Sequence, residues 1–585
     1  MLVVATGMVF SAVCFLPIMK SWDDDVHIWN NTHLLTMTAD NVTRYLTKPR
    51  GGYYVPLSFF SYMLDYAIGG TNGFSYHIQN LFWHMLTVLA FFFCLRFFLR
   101  SKSLAFCAAL VFALHPQRVE AVAWVTARRE VMCGFFYFMS ALAYFVMRKD
   151  KGICLPAFVL FLMAIFSKPM AASLPFVLLF YEFSVSKSVN VKKYFLRFWP
   201  YFLVFVLYCA LTVLHKYNPA PQKPLAWKLW LVVYNQAWYL FKTIWPGELS
   251  PVYPKIIFPG FDFLPVVFVW AFALGAAILA IKKSRDNFLY NVLPLAACYI
   301  IAVAPISGLF QISTDYFDSS DRYSYIPSAF LLLGAALVWE KLPLIVDSLY
   351  GSGSWCSKAL AVILKKKIII GACFVLYLIY LGSLSFFYID SWKSYRQLMV
   401  AGALHNPPGV LPLVVLGIMA KGEGDYETTL RLSDRIRSLT KGIMPEKERL
   451  RRVVLWKYLK GSTLMLQGKK KEAFFLFKSI IPAIHKIPEP FPGIYARMHL
   501  LMADCFLEQG NTSKAIACFE TATRILENSG KAGSADSFFY KGMKFFIEGD
   551  FKKAAKAFGA AHEKDPENKM ILHNLKQAEL KASQN

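Results

Sequence analysis

The chain has 585 residues, of which 56% are hydrophobic and only 17% charged, with a mean hydropathy of +0.42. These proportions exclude an ordinary soluble domain and describe a polytopic membrane protein. The formal net charge of +26 does not point to nucleic acid. The basic residues of the first two thirds fall in short loops between apolar runs, where they orient a chain in a bilayer.

Residues 2–19 are almost wholly apolar and long enough to cross a bilayer core. No small-residue cleavage site comes after them, so the segment reads as an anchor rather than a cleaved signal peptide. Trp22-Asp23-Asp24-Asp25 comes directly after. Three carboxylates there belong at the membrane surface, because carboxylates at the bilayer centre are costly. Further spans are expected at 78–98, 103–115, 131–147, 154–167, 171–184, 196–215, 262–281, 289–308, 324–341 and 367–390. Five basic clusters mark one side: Arg96/Arg100/Lys102, Arg148/Lys149/Lys151, Lys187/Lys192/Lys193, Lys282/Lys283/Arg285 and Lys365/Lys366/Lys367. If all five are cytoplasmic, the N-terminus is inside and the acidic loop, residues 20–76, is outside. Residues 228–246 are apolar enough to span. Counting them as a crossing would place the last two basic clusters outside, so they read as re-entrant or interfacial. That leaves 11 crossings and an external C-terminal domain.

With this topology the polar stretches Asp23–Pro56, His115–Glu130, Ser167–Pro169, Pro246–Pro254 and Asp315–Tyr325 share one face, the place for a membrane enzyme's site. Within the span at 78–98 and just before it, His77, Asn80 and His84 fall on one helix face. Metal ligation and inter-helix hydrogen bonding are the alternatives, and hydrogen bonding is the better-supported one. The loop from His115 to Glu130 carries Arg118, Arg128 and Arg129, which suit bidentate phosphate binding, with Glu120 and Glu130 as their ion-pair partners. Lys168 before Pro169 is a snorkelling anchor or a further phosphate contact. Asp321-Arg322 beside Tyr323 and Tyr325 reads as an ion pair, either a structural pin or a donor contact. The 11 cysteines are scattered, with no C-x-x-C pair, so neither a disulfide framework nor a zinc site is expected.

The last third repeats. Gly542, Phe545, Gly549-Asp550, Ala554, Phe558, Ala561 and Pro566 match tetratricopeptide positions. Gly510, Ala515, Phe519 and Ala522 keep the same offsets, as do Gly468, Ala473 and Phe477. Gly424 begins a weaker copy, and 567–582 reads as a capping helix. Arrays of this kind form grooves for peptides or proteins, or act as scaffolds.

Seven motifs occur in order: Trp22-Asp23-Asp24, Tyr54-Val55-Pro56-Leu57, His115-Pro116 through Val119-Glu120-Ala121-Val122-Ala123-Trp124-Val125, Arg128-Arg129-Glu130, Ser167-Lys168-Pro169-Met170 with Leu174-Pro175-Phe176, Leu249-Ser250-Pro251 with Tyr253-Pro254, and Asp321-Arg322-Tyr323-Ser324-Tyr325-Ile326-Pro327. Together they resemble the transmembrane and tetratricopeptide-repeat family of type C glycosyltransferases, leaning toward its bacterial branch. The resemblance runs from about residue 20 to the end. It implies a mainly α fold, with a polytopic helical membrane domain at 1–391 followed by a tetratricopeptide-repeat solenoid at 392–585. It also implies transfer of a sugar, mannose in the animal members, from a polyprenyl-phosphate carrier to a protein or peptide hydroxyl, with inversion. The location implied is a bacterial inner membrane with the repeats in the periplasm, or the endoplasmic reticulum in a eukaryote.

By that resemblance an acidic pair in the first external loop serves catalysis. Asp23 and Asp24 match it, while Asp25 stands where bacterial relatives often carry Pro, leaving the register open by one residue. Val55 stands where relatives often have Arg or His. Such a transfer needs a base on the acceptor, here Asp23, Asp24 or Asp25, and charge stabilisation on the departing phosphate. Arg118, Arg128, Arg129, Lys168 and Arg322 are the candidates for the second role, supported by His115, Glu120, Glu130, Asp321 and Tyr325. Asp23 and Asp25 form an Asp-x-Asp able to take Mg²⁺ or Mn²⁺. Arg and Lys can handle a monophosphate alone, so no metal is expected. The competing function class is a non-enzymatic scaffold that gathers envelope proteins through its repeats.

Overall fold

The computed structural model describes the whole chain except residues 50–53, 149–151, 188–190, 215–223, 255–262, 284–285, 287, 309–318, 351–352, 443, 481–491, 530 and 585. Among the expected features, Lys149, Lys151, Arg285 and Asp315 lie outside the described residues. The described residues form helices and turns, with no strand among them. They divide into two compact units, one of Met1–Ile256 with Gly260–Gly409 and one dominated by Val410–Asn585.

In the first unit every expected span coincides with a helix. Seven are long and apolar enough to cross a membrane: Gly73–Phe98, Val125–Met147, Pro169–Ser186, Lys192–Leu211, Leu289–Ile306, Pro327–Asp347 and Lys367–Trp392. The others, Leu2–Phe15, Lys102–Leu114, Leu155–Ser167 and Val266–Ile278, are shorter. Large apolar side chains such as Phe82, Leu203, Phe268, Leu376 and Phe387 are exposed along these helices, a surface that suits lipid and not water.

The short helices position the site. Thirteen residues at about 1.5 Å each span only ~20 Å, less than the ~30 Å hydrocarbon core. Lys102–Leu114 and Leu155–Ser167 therefore end within the thickness of the bundle. Each leads into a proline-led turn, Pro116–Arg118 and Pro169–Ser173, and irregular backbone at such depth persists only when packed in protein or lining a cavity. Residues 105 and 108–128 are buried almost without interruption. Other segments reach the same end: Ser385 Oγ donates to Leu114 O (2.7 Å), Ser58 Oγ to Ser167 O (3.2 Å) and Tyr208 OH to Tyr54 O (2.7 Å).

Residues 225–244 correct one expectation. They form a single uninterrupted helix, Leu225–Ile244, so no re-entrant reversal exists there. In the helix before it, Val191–Leu214, Tyr208 OH donates to Tyr54 O, and after it Tyr253 OH donates to Asp321 Oδ1 (2.8 Å). Leu231, in its second turn, lies against Gly308, and Asn235 Nδ2 donates to Ser307 O (3.1 Å).

The second unit is a row of helix pairs: Val410–Gly422 with Tyr426–Ser438, Glu446–Leu466 with Lys470–Lys478, Pro492–Glu508 with Thr512–Asn528, and Ala535–Ile547 with Phe551–Lys564, closed by Lys569–Gln584. Gly424, Gly468, Gly510 and Gly549 take positive φ of 70–83° at the turns within the pairs, a conformation L side chains rarely adopt. A Cβ on Gly542 would stand 2.5 Å from the Phe558 ring, so the paired helices approach as closely as the motif requires. In the weaker first copy Thr429 replaces the usual Ala, and its hydroxyl bonds Gly417 O (3.3 Å).

Candidate functional site

The acidic loop resolves into three unlike carboxylates. Trp22 and Asp23 adopt left-handed backbone (φ 62° and 70°), which turns the chain so that Asp23 is exposed, Asp24 is buried and Asp25 is half-buried at the start of the turn Asp25–Trp29. Such backbone costs a non-glycine residue on the order of 1 kcal/mol, offset here by the bonds that anchor Asp24. Asp24 Oδ1 accepts from the backbone N–H of Thr126 (3.1 Å) and from the Thr126 hydroxyl in a short contact. Burial pushes the Asp24 carboxyl up to about 7, and the two Thr126 bonds partly offset that rise.

Thr126 is itself fixed. Its carbonyl accepts from Tyr62 OH (3.1 Å) and from Arg129 Nε (3.1 Å), so Arg129 and Asp24 are held to the same residue. Two residues earlier, the Trp124 ring lies under the Arg322 guanidinium (4.9 Å) and stacks on Trp392 (6.0 Å). Trp22 packs on Trp124 (6.4 Å) and on Tyr395 (6.3 Å). Residues 390–395 thus pack with the rest of the first unit at this end.

The cations pair differently from their order in the chain. Glu120, fully buried, takes the Arg322 guanidinium in a close ion pair and also accepts from Arg322 N (2.9 Å) and Ser320 Oγ (2.8 Å). Glu130 takes Lys168 in a close ion pair, with Arg322 Nε at 4.0 Å. Lys168 and Arg322 both face the Tyr323 ring, at 4.5 and 4.4 Å. Glu120–Arg322–Glu130–Lys168 is therefore one continuous network, and Arg322 and Lys168 keep 15% and 12% side-chain exposure. The expected ion pair of Asp321 with Arg322 does not form. Asp321 instead accepts from Tyr253 OH and Tyr388 OH (3.2 Å), and burial, then Glu120, raises its carboxyl to about 8.

Arg128 and Arg118 differ from these two. Arg128 is fully buried in a close ion pair with Asp65, and donates to Asn80 Oδ1 (2.7 Å), Tyr76 O (2.6 Å) and Ser61 Oγ (3.3 Å), with the Tyr62 ring at 4.9 Å. Its donors are committed to protein groups. Arg118 is buried between the Phe112 and Tyr325 rings and donates to Ser324 Oγ and Ser328 Oγ. Neither pairs with Glu120 or Glu130, contrary to the expectation from their closeness in sequence. His115 is a cap: Gln117 N–H donates to its Nδ1 (3.3 Å) and its Nε2 faces Thr243 O (3.1 Å). Tyr325 OH meets His84 Nδ1 (2.7 Å), and its ring passes so close to Gly134 that a Cβ there would sit 2.6 Å away. Asn80 donates to Val122 O and Trp124 O, so Asn80 and His84 form inter-helix hydrogen bonds. Among the described residues no group of three or more His, Cys, Asp or Glu is placed to hold a metal.

Sequence reasoning gave no individual role to Thr126, Asp65, Ser320, Tyr253, Tyr388 or Trp392, although Thr126, Ser320 and Tyr253 lie in stretches it placed on the site face. Asp65 alone had a usable signal, as a lone acid in the apolar run Pro56–Gly69. The others are neutral residues whose partners lie far away in the chain.

No family model matches the chain. Over 99 residues it is 35% identical to the human protein O-mannosyl-transferase TMTC2, covering 17% of this chain and 12% of that protein. It is 34% identical over 92 residues to mouse TMTC1, covering 16% and 10%, and 34% identical over 99 residues to mouse TMTC3, covering 17% and 10%. The chain spans about a tenth of the length of the curated relatives it matches. Among solved structures, the APC/C hetero-tetramer Cut9-Hcn1 aligns over 94% of this chain and 100% of that chain, at 12% identity and a TM-score of 0.26. The likeness to these protein O-mannosyl-transferases is confined to stretches of 92–99 residues.

Proposed function

We propose that the chain transfers a sugar from a polyprenyl-phosphate carrier to a hydroxyl acceptor on a protein, on the extracytoplasmic side of the membrane. Mannose is the sugar carried in the relatives' names. One observation carries the reading: Asp24, a buried carboxylate poised near neutrality, shares one end of the bundle with Arg322 and Lys168, whose side chains stay slightly exposed, and with Arg129. A base must be deprotonated at working pH and yet basic enough to take a proton, and a pKa near 7 meets both conditions.

In the proposed step the acceptor oxygen attacks the anomeric carbon while the bond from that carbon to the phosphate oxygen breaks. The hydroxyl proton passes to the Asp24 carboxylate. The electron pair leaves with the phosphate, whose charge develops beside Arg322, Lys168 and Arg129. Attack opposite the leaving group inverts the anomeric centre. Arg128 is assigned to the scaffold, as are Asp321, held by Tyr253 and Tyr388, and Tyr325, held by His84 and facing Arg118. No step requires Mg²⁺ or Mn²⁺ at Asp23 and Asp25.

The ordered motifs favour the bacterial branch, and with it an inner-membrane enzyme whose repeats are periplasmic. The test is transfer of radiolabelled sugar from a polyprenyl-phosphate donor by purified variants. Asp24→Asn is expected to lose about 10²–10⁴-fold with unchanged thermal stability, whereas Asp23→Asn and Asp25→Asn retain most activity. Full activity in Asp24→Asn would remove the proposal and favour the scaffold reading.

A further inference from the structure

The end of the bundle away from Asp24 holds a second charged cluster, which sugar transfer does not use. The helix Arg128–Met147 has 20 residues and so carries the chain ~30 Å from Arg128. Arg148 follows it directly, in one of the basic clusters expected to mark the cytoplasmic side. Its guanidinium is pinned in a close ion pair by Glu182, a buried carboxylate on Leu174–Ser186. The same carboxylate takes Arg197 (2.8 Å) from Val191–Leu214 and accepts from Tyr144 OH (3.0 Å). A carboxylate divided between two guanidinia and a phenol neutralises Arg148 only in part.

The rest of the Arg148 head is open. Its side chain donates to the described residues through Nη1. The edge formed by Nε and Nη2, which can take two oxygens of an anion side by side, is uncommitted, and 29% of the side chain is exposed. One face of the guanidinium lies over the Tyr181 ring (5.3 Å). That ring is held in turn by Phe145 (4.5 Å) and Phe97 (6.2 Å). An arginine that merely anchors a span end leaves its head loose in water. Here a buried acid and an aromatic ring fix where the head sits. Around it the surface is apolar: Val146 and Met147, directly before it, and Phe97 are all exposed. A small hydrated anion gains nothing from such surface, whereas a lipid covers it with its acyl chains.

We propose that Arg148, set by Glu182 and Tyr181, binds the phosphate of an anionic phospholipid in the leaflet opposite the transfer site. The two charged oxygens of the phosphodiester meet Nε and Nη2, and the acyl chains lie against Val146, Met147 and Phe97. The site acts by binding alone, so its test does not depend on sugar transfer.

The full chain in detergent is titrated with phosphatidylglycerol, and the first bound lipid is followed by native mass spectrometry. Phosphatidylglycerol is expected to bind more tightly than phosphatidylcholine, whose choline cancels the phosphate charge. Arg148→Ala should weaken the first phosphatidylglycerol about tenfold, near the loss of one charge-assisted hydrogen bond. Lys187→Ala with Lys192→Ala removes two exposed cations from the same end and should leave it unchanged. Should Arg148→Ala fold poorly, Val146→Ser with Met147→Ser keeps every ion pair and is still expected to weaken the lipid. Glycerol 3-phosphate at the lipid's own concentration should not displace it. The proposal is overturned by equal retention of phosphatidylcholine, by unchanged retention in Arg148→Ala or in the Val146/Met147 variant, or by an equal loss in the Lys187/Lys192 variant. Displacement by glycerol 3-phosphate would overturn it too, marking a site for a soluble phosphate.

Discussion

Two buried arginine–carboxylate groups lie within the same unit and invite opposite readings. Around Arg128, Asp65, Asn80, Tyr76 and Ser61 take up the guanidinium, and nothing of it reaches the surface. Around Arg322, Glu120 and Glu130 hold one side while part of the side chain stays open over Tyr323 and Trp124. Both are costly to bury. The first cost is met wholly from within, which is how a joint is made. The second leaves part of the positive charge open above Trp124, two residues from the Thr126 that holds Asp24, which is how a site is made. Composition cannot tell these apart, because each is an Arg with an acid.

The largest effect that tests this contrast is on folding. Arg128→Met leaves Asp65 buried without its partner, and breaking a buried pair in this way costs about 3–5 kcal/mol. The expected outcome is a protein that purifies poorly and melts well below the wild type in a detergent thermal-shift assay. Arg128→Met combined with Asp65→Leu should regain much of the lost stability, since the charge that remained is then gone. If Arg128→Met instead melts normally and only raises KM for the lipid-linked donor, the joint is a phosphate contact and the contrast fails.

The second test is on catalysis. Arg322→Gln removes the charge but keeps a hydrogen-bonding side chain that Glu120 can hold. Loss of one preorganised contact to a developing anion costs about 10²–10³ in kcat, and the fall should appear in kcat more than in KM. Its melting temperature should move far less than that of Arg128→Met. A variant that unfolds with full specific activity in its folded fraction would place Arg322 with Arg128.

Much of the molecule is legible in the sequence, and the illegible part has a physical pattern. Spans declare themselves because hydropathy is a local property, and all the expected ones coincide with helices. The repeat glycines declare themselves because a positive φ or a close approach is also local. Ion pairs are not local. Glu120 and Glu130 are expected from sequence to serve Arg118, Arg128 and Arg129 in their own loop, but the turns Pro116–Arg118 and Val125–Ala127 rotate neighbours to different faces. Glu120 meets Arg322 some 202 positions away, and Asp24 meets Thr126 at 102. Likewise Trp392 lies two positions past the expected span 367–390, at the last residue of the helical span Lys367–Trp392, yet stacks on Trp124, a contact that no windowed reading reaches. The three aspartates can be placed at a membrane surface from sequence, but the burial of Asp24 alone depends on the left-handed turn at Trp22 and Asp23.

The smallest effect concerns Thr126, and it separates a tuned carboxylate from one that is merely hidden. Burial raises the Asp24 pKa, whereas the hydroxyl and N–H of Thr126 lower it by favouring the charged form. The base must be ionised to act, so transfer should fall as the pH drops through about 7, giving the acid limb of kcat/KM. Thr126→Val keeps the shape and the backbone N–H but removes the hydroxyl donor. The ionised form is then less favoured, and the limb should move to higher pH by about one unit, equivalent to ~1.4 kcal/mol. From pH about 9 upward the variant should approach wild-type rates, while Thr126→Ser should keep the wild-type limb. A purely structural role for Thr126 predicts a loss independent of pH, and an unmoved acid limb in Thr126→Val would detach Asp24 from the proton transfer.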